Sequence, residues 1–233
     1  MNTRVRTRRV IARVAVVFGV AIAGIGVDLL GDTAAAEHEQ LIVCLGDSLT
    51  EGFGVLPEQS YPALLEARLR QLGHDVRVVN AGISGSTSAS GVSRLEWQLR
   101  AKPDIVILGL GGNDGLRGLA LNRTRKNLSR TIALAQSKGV QVILAGMKIP
   151  PNYGLDYTRE FEQIFRALAK EHQVPLIPFL LEGVAAKSEL NIGDGIHPNP
   201  EGYVLVVDNV LPLVLSVLGQ PGNFAFPPDR SRP

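Results

Sequence analysis

The sequence predicts an α/β protein of the three-layer α/β/α type, with a five-stranded parallel sheet at its centre. Two observations lead to this fold class. Apolar segments alternate along the chain with amphipathic segments of helical period. The apolar segments are nearly continuous in valine, isoleucine and leucine, which is typical of strands buried on both faces of a parallel sheet. The chain of 233 residues is long enough for one such domain with its own core.

The five apolar runs are the predicted strands, and the amphipathic segments between them are the predicted helices. The strands span residues 41–45, 76–79, 105–110, 140–145 and 176–177. The helices span residues 61–72, 90–99, 122–138, 157–172 and about 200–218. This order is typical of a flavodoxin-like sheet, in which ligands bind beyond the carboxyl ends of the strands. The loops that follow strands are therefore the segments in which to look for chemistry.

The first 36 residues have the order of a secretory signal peptide. A basic start with five arginines precedes an uninterrupted apolar run over residues 14–27, and the small residues at 34–36 follow it. We expect cleavage after Ala36 and export to the periplasm or the extracellular space. The apolar run has 14 residues, short of the ~20 that a membrane-spanning helix needs. The alternative is a leader that is retained as a membrane anchor.

After the leader the charges are balanced, with 19 basic and 20 acidic residues. This balance offers no excess of positive charge for nucleic acid, so we expect no nucleic-acid partner. We predict one monomeric domain over residues 37–219, followed by a flexible tail over residues 220–233 that is rich in proline and polar residues. Cys44 lies within the first apolar run and is interpreted as a buried core thiol.

Ser48 directly follows the first predicted strand, in the string Gly-Asp-Ser-Leu. Gly46 and Asp47 make the turn, and Ser48 begins a helical turn whose backbone amides favour a developing oxyanion. A serine at this place is displayed where a bound carbonyl group can reach it. Taken alone, Ser48 would more often be a helix cap, which is the commoner role of a serine after a strand.

Two further loops at the same edge supply candidate oxyanion donors. Residues 80–88 (NAGISGSTS) follow the second strand, where small residues let the backbone approach a ligand, and Gly82 is predicted to present its amide. Residues 109–115 (GLGGNDG) follow the third strand, and the side-chain amide of Asn113 is a suitable donor. The second string fails the G-x-G-x-x-G dinucleotide pattern, because an aspartate stands at the last glycine position.

Asp194 and His197 lie three residues apart in the loop before the last predicted helix. A tight turn at this spacing can bring the carboxylate to one imidazole nitrogen, and the other nitrogen then faces outward as a base. Together with Ser48 they supply a nucleophile, an orienting carboxylate and a base in the order Ser, Asp, His. An isolated pair of this kind is often only an aspartate turn followed by an exposed histidine. No G-x-S-x-G string occurs, so the nucleophile elbow of the α/β-hydrolase fold is excluded.

These segments resemble the four conserved blocks of the SGNH, or GDSL, hydrolases. The matching residues are Ser48 in GDSL, Gly82 in NAGISG, Asn113 in GGND, and Asp194 with His197 in DGIHP. The resemblance extends over residues 41–218 and is closest to the secreted branch of thioesterase I, lysophospholipase and arylesterase type. It implies the SGNH hydrolase fold, with Ser48 as nucleophile, His197 as base and Asp194 as the orienting carboxylate. It also implies an oxyanion hole formed by Ser48, Gly82 and Asn113.

The sequence therefore predicts a serine esterase that hydrolyses carboxylic esters and thioesters of short to medium acyl chains through an acyl-enzyme. Its partners would be small-molecule ester, thioester or lipid substrates, and no metal-ligand spacing or cofactor motif is present. Two alternatives stay open. A carbohydrate acetylesterase would need aromatic platforms for a sugar, but aromatic residues make up only 5% of the chain. A secreted binding module without catalysis would have no reason to keep the whole set of site residues.

Two loops can supply apolar walls for an acyl chain, because both leave the carboxyl ends of strands near the serine. The candidate substrate-binding residues are Leu116, Leu119 and Leu121 after the third strand, and Ile149, Pro150, Tyr153 and Leu155 after the fourth. The alternative is that these side chains anchor their loops to the core. The resemblance to thioesterase I-like enzymes implies that the first loop is mobile and closes over the acyl chain.

Overall fold

The five strands form one parallel sheet, as the sequence predicts. The computed structural model describes residues 39–219, so the predicted signal peptide and the predicted tail lie outside the described residues. The strands are β1 Gln40–Gly46, β2 Val76–Gly82, β3 Ile105–Gly109, β4 Gln141–Ala145 and β5 Leu176–Ile177. They are hydrogen-bonded in the order β2-β1-β3-β4-β5, and every pair is parallel. This is the flavodoxin-like strand order, and it confirms the predicted fold class.

Helices cover both faces of the sheet. They are α1 Ser48–Glu51, α2 Tyr61–Gln71, α3 Gly91–Gln98, α4 Gly112–Leu116, α5 Leu121–Ser137, α6 Leu155–His172 and α7 Pro200–Leu218. On one face α2 packs against α7, and on the other α5 packs against α3 and α6. The five predicted helices are all present within a few residues of their predicted bounds. The short helix α1 is the helical turn predicted at Ser48, whereas α4 was not predicted, and both follow strands of the sheet.

The central strands are buried along their whole length, which explains their continuous apolar sequences. Every residue of β3 is buried, and so is every residue of β1 after its first. Cys44 of β1 is fully buried, and burial raises the pKa of its thiol to about 12. Cys44 is therefore a core thiol, as its apolar surroundings in the sequence predict.

The last helix is long and apolar because it closes one face of the core. Among the described residues, α7 is the helix whose length and composition would allow it to cross a membrane. Its inner side carries Tyr203, Val206 and Val210, all with no exposed surface. It packs against α2, against the edge strand β5 and against its neighbour β4. Its apolar composition is explained by this packing.

The ends of β1, β2 and β3 lie level at the carboxyl edge of the sheet. Gly46 pairs with Gly82 on one side and with Gly109 on the other. Glycine is required at the first two positions because α1 folds back directly onto them. A Cβ atom on Gly46 would lie 1.9 Å from Oγ1 of Thr50, and a Cβ atom on Gly82 would lie 2.1 Å from the backbone nitrogen of Glu51. Three loops therefore begin at the same height, with α1 resting on two of them.

Candidate active site

Ser48 is the first residue of α1, at the carboxyl end of the central strand β1. The residue before it, Asp47, caps this helix, since its Oδ1 accepts a hydrogen bond from the Leu49 amide at 3.1 Å. The capping role that is the alternative for Ser48 is thus filled by its neighbour. The helix ends after four residues at Gly52, whose φ is 90°. Ser48 remains partly exposed at the edge of the sheet, where a ligand can reach it.

A short closed loop brings Asp194 and His197 to Ser48. The ends of the loop, Asn191 and Pro198, pair in an antiparallel bridge. The Ser48 hydroxyl donates to Nε2 of His197 with an Oγ to Nε2 distance of 2.8 Å. Nδ1 of the same ring donates to Oδ2 of Asp194 at 2.6 Å. The three side chains form one continuous hydrogen-bonded relay, although 149 positions separate the serine from the histidine.

The Asp194 carboxylate is held in its ionised form by the turn that it caps. Its Oδ1 accepts from the backbone amides of Ile196 and His197 at 2.9 and 3.0 Å. Partial burial alone would raise the pKa of Asp194, but these hydrogen bonds outweigh it and lower the pKa below its ordinary value. An ionised carboxylate at Nδ1 keeps the proton on that nitrogen and leaves the Nε2 lone pair free to accept from serine.

Asn113 lies on α4, close to the nucleophile. The helix starts after Gly111, whose φ of 112° lies in the left-handed region that favours glycine. Nδ2 of Asn113 donates to the Ser86 carbonyl at 3.0 Å and to Oδ2 of Asp47 at 3.3 Å. This second contact links Asn113 to the residue next to Ser48, so its amide points into the same space as the serine.

Asp47 is a buried carboxyl in the middle of this arrangement, with 2% of its surface exposed. Burial raises its pKa from 3.8 to about 6, and hydrogen bonds from the Leu49 amide and from Asn113 offset part of that rise. From the sequence, Asp47 is expected only as a turn residue. Its capping contact with the Leu49 amide is local, whereas its role in holding Asn113 depends on a contact across 66 positions of the chain.

The prediction for Gly82 does not agree with the structure. The Gly82 amide donates to Oδ1 of Asn80 at 2.9 Å, and an amide has only one hydrogen to donate. Nδ2 of Asn80 donates in turn to the Glu51 carbonyl at 3.2 Å, which ties the end of β2 to α1. The glycine at position 82 is thus explained by the close approach of α1, and its amide is not available to an oxyanion.

Gly85, the second glycine of the string NAGISG, lies beside Asn113. Its φ is 73° and its carbonyl accepts from Nη2 of Arg117 at 3.1 Å. The next residue, Ser86, provides the carbonyl that binds the Asn113 side chain. Within residues 39–219, the backbone amides of Gly85 and Ser48 donate to no protein acceptor. The Asn113 side chain contacts the neighbours of both residues, Ser86 after Gly85 and Asp47 before Ser48, a link that sequence spacing alone did not reveal for Gly85.

A buried carboxylate fastens the second and third loops of the site to each other. Asp114, which is 2% exposed, accepts from the Ser88 amide at 2.8 Å and from the Ser88 hydroxyl at 2.6 Å. The hydroxyl of Thr124 on α5 donates to the same carboxylate at 3.2 Å. The loop after β2 and the helix that bears Asn113 are therefore held in a defined relative position.

An apolar cavity of about 320 Å³ adjoins the triad. It reaches the nucleophile through Leu49 and the histidine loop through Ile196, the neighbours of Ser48 and His197. Its walls include Leu116, Met147, Ile149, Pro150, Phe179 and Leu181. A larger cavity, of about 690 Å³, lies near Pro103 and Val140 at the amino ends of β3 and β4, at the edge of the sheet opposite to Ser48, and no sequence neighbour of a triad residue lines it. The smaller cavity is therefore the candidate substrate site.

The sequence predictions for this cavity are met in part. Leu116, Ile149 and Pro150 line it, whereas Leu119, Leu121, Tyr153 and Leu155 do not. Tyr153 instead stabilises the end of α4, because its hydroxyl donates a hydrogen bond to the Leu116 carbonyl at 2.7 Å. Met147, Phe179 and Leu181 were not predicted as lining residues. A signal for the first of them was available, since Met147 follows β4 by two residues at the reactive edge of the sheet.

Phe53 is a further residue of the site, and it lies outside the sequence motifs that mark the triad. Its ring centroid lies 4.7 Å from that of His197, and the two ring planes are tilted by 45°.

Among residues 39–219 no group of three or more histidine, cysteine, aspartate or glutamate side chains is placed to hold a metal ion.

A serine–histidine–aspartate relay beside an apolar cavity, at the carboxyl edge of a parallel α/β/α sheet, defines a serine ester hydrolase. Residues 44–205 match the GDSL-like Lipase/Acylhydrolase family, and the chain belongs to this family. The family resemblance read from the four sequence blocks is thereby confirmed.

Curated relatives and solved structures agree with this assignment. The chain is 41% identical to Esterase TesA of Pseudomonas aeruginosa over 191 residues, which are 82% of this chain and 94% of that protein. It is 39% identical to Thioesterase 1/protease 1/lysophospholipase L1 of Escherichia coli over 181 residues, 77% of this chain and 85% of that protein. The crystal structure of the psychrotrophic esterase EstA from Pseudoalteromonas sp. superposes with a TM-score of 0.74 at 31% identity, covering 78% of this chain and 100% of that one.

Proposed function

We propose that this ester hydrolase acts on carboxylic esters and thioesters of short to medium acyl chains, with Ser48 as nucleophile, His197 as general base and Asp194 as the orienting carboxylate. The observation that carries the proposal is the relay from the Ser48 hydroxyl through His197 to Asp194, next to an apolar cavity. The Ser48 hydroxyl already donates to the nitrogen that would take its proton, so no rearrangement precedes attack.

The reaction proceeds in two halves. Nε2 of His197 takes the proton of Ser48 as Oγ bonds to the carbonyl carbon, and the carbonyl oxygen becomes an oxyanion. Collapse of this intermediate breaks the bond to the leaving alcohol or thiol, which receives the proton from His197. Water then attacks the acyl-enzyme in the same way and releases the acid and free Ser48. The ionised Asp194 stabilises the imidazolium that forms in each half.

The oxyanion hole comprises the Ser48 amide, the Gly85 amide and the Asn113 side chain. Gly85 takes the place first assigned to Gly82, because its amide has no acceptor among residues 39–219 and its loop contacts Asn113. An oxyanion must displace one of the two acceptors that Asn113 now serves. The bond to Asp47 is the longer of the two, at 3.3 Å against 3.0 Å, and is the one expected to yield.

The acyl chain is assigned to the apolar cavity beside Ser48. Each methylene that enters it leaves water and stabilises the transition state by about 0.8 kcal/mol, which is roughly fourfold in kcat/KM. Activity should therefore climb from acetyl towards medium-chain esters until the volume of about 320 Å³ is filled.

The nucleophile is tested with a fluorophosphonate and the Ser48→Ala variant. The reagent should label wild-type protein at Ser48 and leave the variant unlabelled, and the variant should lose about 10⁴–10⁶ in kcat. Because Ser48 lies partly exposed at the start of a short helix, the variant should keep the wild-type melting temperature. If Ser48→Ala kept more than about a tenth of the esterase activity, the assignment would be wrong.

Two leucines of one loop provide a matched test of the acyl site. Leu116 lines the cavity and Leu119 does not. Leu116→Ser should therefore weaken the increase of kcat/KM with acyl-chain length, whereas Leu119→Ser should leave that increase unchanged. Acetyl ester hydrolysis should survive in both variants, because an acetyl group barely enters the cavity. If acetyl were the best substrate and longer chains were rejected, the acyl assignment would fail in favour of the acetylesterase alternative.

Export as a monomer completes the proposal and rests on the sequence alone. The leader over residues 1–36 has the order of a signal peptide, and the charge-balanced remainder offers no excess of positive charge for a nucleic-acid partner. N-terminal sequencing of the mature protein should find Glu37 or a close neighbour as the first residue. An intact leader recovered with membranes would instead support an anchor.

A further inference from the structure

Phe53 sits in a turn whose construction leaves little freedom for its backbone. Glycines with positive φ stand on both sides of it, Gly52 at 90° and Gly54 at 85°. A Cβ atom at Gly52 would lie 2.7 Å from Cβ of Ser60, and one at Gly54 would lie 2.6 Å from Cδ1 of Ile192. The Phe53 amide also donates to the Ser48 carbonyl at 3.1 Å. The turn is thus packed on both flanks and tied to the nucleophile.

This turn presents an aromatic ring to the catalytic histidine and to solvent at the same time. The Phe53 and His197 ring centroids are 4.7 Å apart, yet 48% of the Phe53 surface is exposed. The exposed part of Phe53 adds nothing to the apolar burial that stabilises the fold. The free part of the ring is an apolar surface beside the reacting atoms with no protein partner in the described chain.

The chemistry of the reaction decides which part of a substrate meets this surface. His197 must donate a proton to the leaving oxygen, so that oxygen comes within hydrogen-bond reach of Nε2. Groups attached to it therefore lie within a few ångströms of the imidazole and of the ring packed against it. The acyl half of the substrate is accounted for by the cavity near Leu49 and Leu116, which Phe53 does not line.

We propose that Phe53 forms a leaving-group subsite, in which its exposed ring packs against an aromatic ring of the departing alcohol. The subsite rests on the proposed function, because it requires Ser48 and His197 to act as assigned. Aromatic rings in offset or tilted contact attract each other beyond the area that they bury. The enzyme should accordingly favour aryl and arylmethyl esters over alkyl esters of the same acid.

Benzyl acetate and ethyl acetate test this subsite directly. Both give the same acetyl-enzyme and both release a primary alcohol, so the ratio of their kcat/KM values reports the contribution of the ring. In Phe53→Leu the ratio of benzyl to ethyl should fall by about two- to tenfold, the range expected for loss of one aromatic pair. Phe53→Tyr should keep the wild-type ratio. Trp97→Ala, which removes an exposed aromatic residue on α3, should leave both values unchanged.

The outcomes separate the subsite from other roles of the same residue. An equal fall for both esters in Phe53→Leu would mean that Phe53 only positions or shields His197, which overturns the subsite. The aromatic contact is overturned if Phe53→Leu keeps the wild-type ratio of benzyl to ethyl acetate. It is also overturned if the hydrolysis of cyclohexylmethyl acetate depends on Phe53 as strongly as that of benzyl acetate. If wild-type protein hydrolysed neither ester and the fluorophosphonate failed to label Ser48, the proposed function itself would fail. Melting curves of both Phe53 variants establish that they fold.

Discussion

Replacing Asp47 by asparagine should stabilise the folded protein at neutral and alkaline pH. Asp47 is 2% exposed, and burial raises the pKa of its carboxyl from 3.8 to about 6. Between these two values the folded protein binds the proton more tightly than the unfolded chain does. The free energy of unfolding therefore falls as the pH rises from about 4 to about 6, and the ionised carboxylate costs about 3 kcal/mol above that range.

Asparagine removes this cost but also loses a contact. Asp47 accepts hydrogen bonds from the Leu49 amide and from Asn113, and the side-chain amide of asparagine has one oxygen with which to replace two carboxylate oxygens. The lost hydrogen bond costs about 1 kcal/mol. We therefore expect Asp47→Asn to be more stable than the wild type by about 2 kcal/mol at pH 8, and about equal to it at pH 4.5.

Denaturant unfolding at several pH values between 4.5 and 8 measures this difference. Asp208→Asn is the matched control, because Asp208 is exposed on α7 and the substitution changes the net charge by the same amount. The free energy of unfolding of this control should vary with pH as that of the wild type does. If the free energy of unfolding of Asp47→Asn also followed the wild-type pH dependence over the whole range, or were lower than that of the wild type at pH 8, the burial argument for Asp47 would be refuted.

Two further outcomes follow from the oxyanion hole. Asn113→Ala should lower kcat by about 10²–10³ with little change in KM, because the hydrogen bond from Asn113 to the substrate oxygen strengthens as negative charge develops there. Steady-state kinetics measures both constants. A raised KM with normal kcat would mean that Asn113 binds the ground state instead. Gly82→Ala should fail to fold, because its Cβ atom would lie 2.1 Å from the Glu51 nitrogen. In Gly85→Ala the new Cβ atom meets only Nη2 of Arg117, at 3.4 Å, so this variant should fold. Its kcat should fall about tenfold, because the substitution shifts the Gly85 amide. Circular dichroism and esterase assays of both glycine variants check this, and the reverse pattern would restore Gly82 as the donor.

The sheet and the reacting side chains were accessible from the sequence because both leave local patterns. Continuous apolar runs mark strands buried on two faces, and the helical period marks the helices that cover them. A parallel sheet then brings the loops after its strands to one edge. This is why Ser48, Asp194 and His197 could be grouped before any contact was known, and the structure links them by hydrogen bonds of 2.8 and 2.6 Å.

Tertiary structure alone decided which groups line the active site and which only stabilise the loops around it. Gly82 and Gly85 are three positions apart in one string, yet Asn80 occupies the first amide, and the packing of α1 explains the first glycine. Tyr153 supports a loop while Met147 and Phe179 line the cavity, and Phe53 meets His197 across most of the chain. The direction of an amide or a ring follows from loop dihedral angles and from packing between segments distant in sequence. Composition and spacing describe neither, so the sequence determined the chemistry and the fold determined its arrangement.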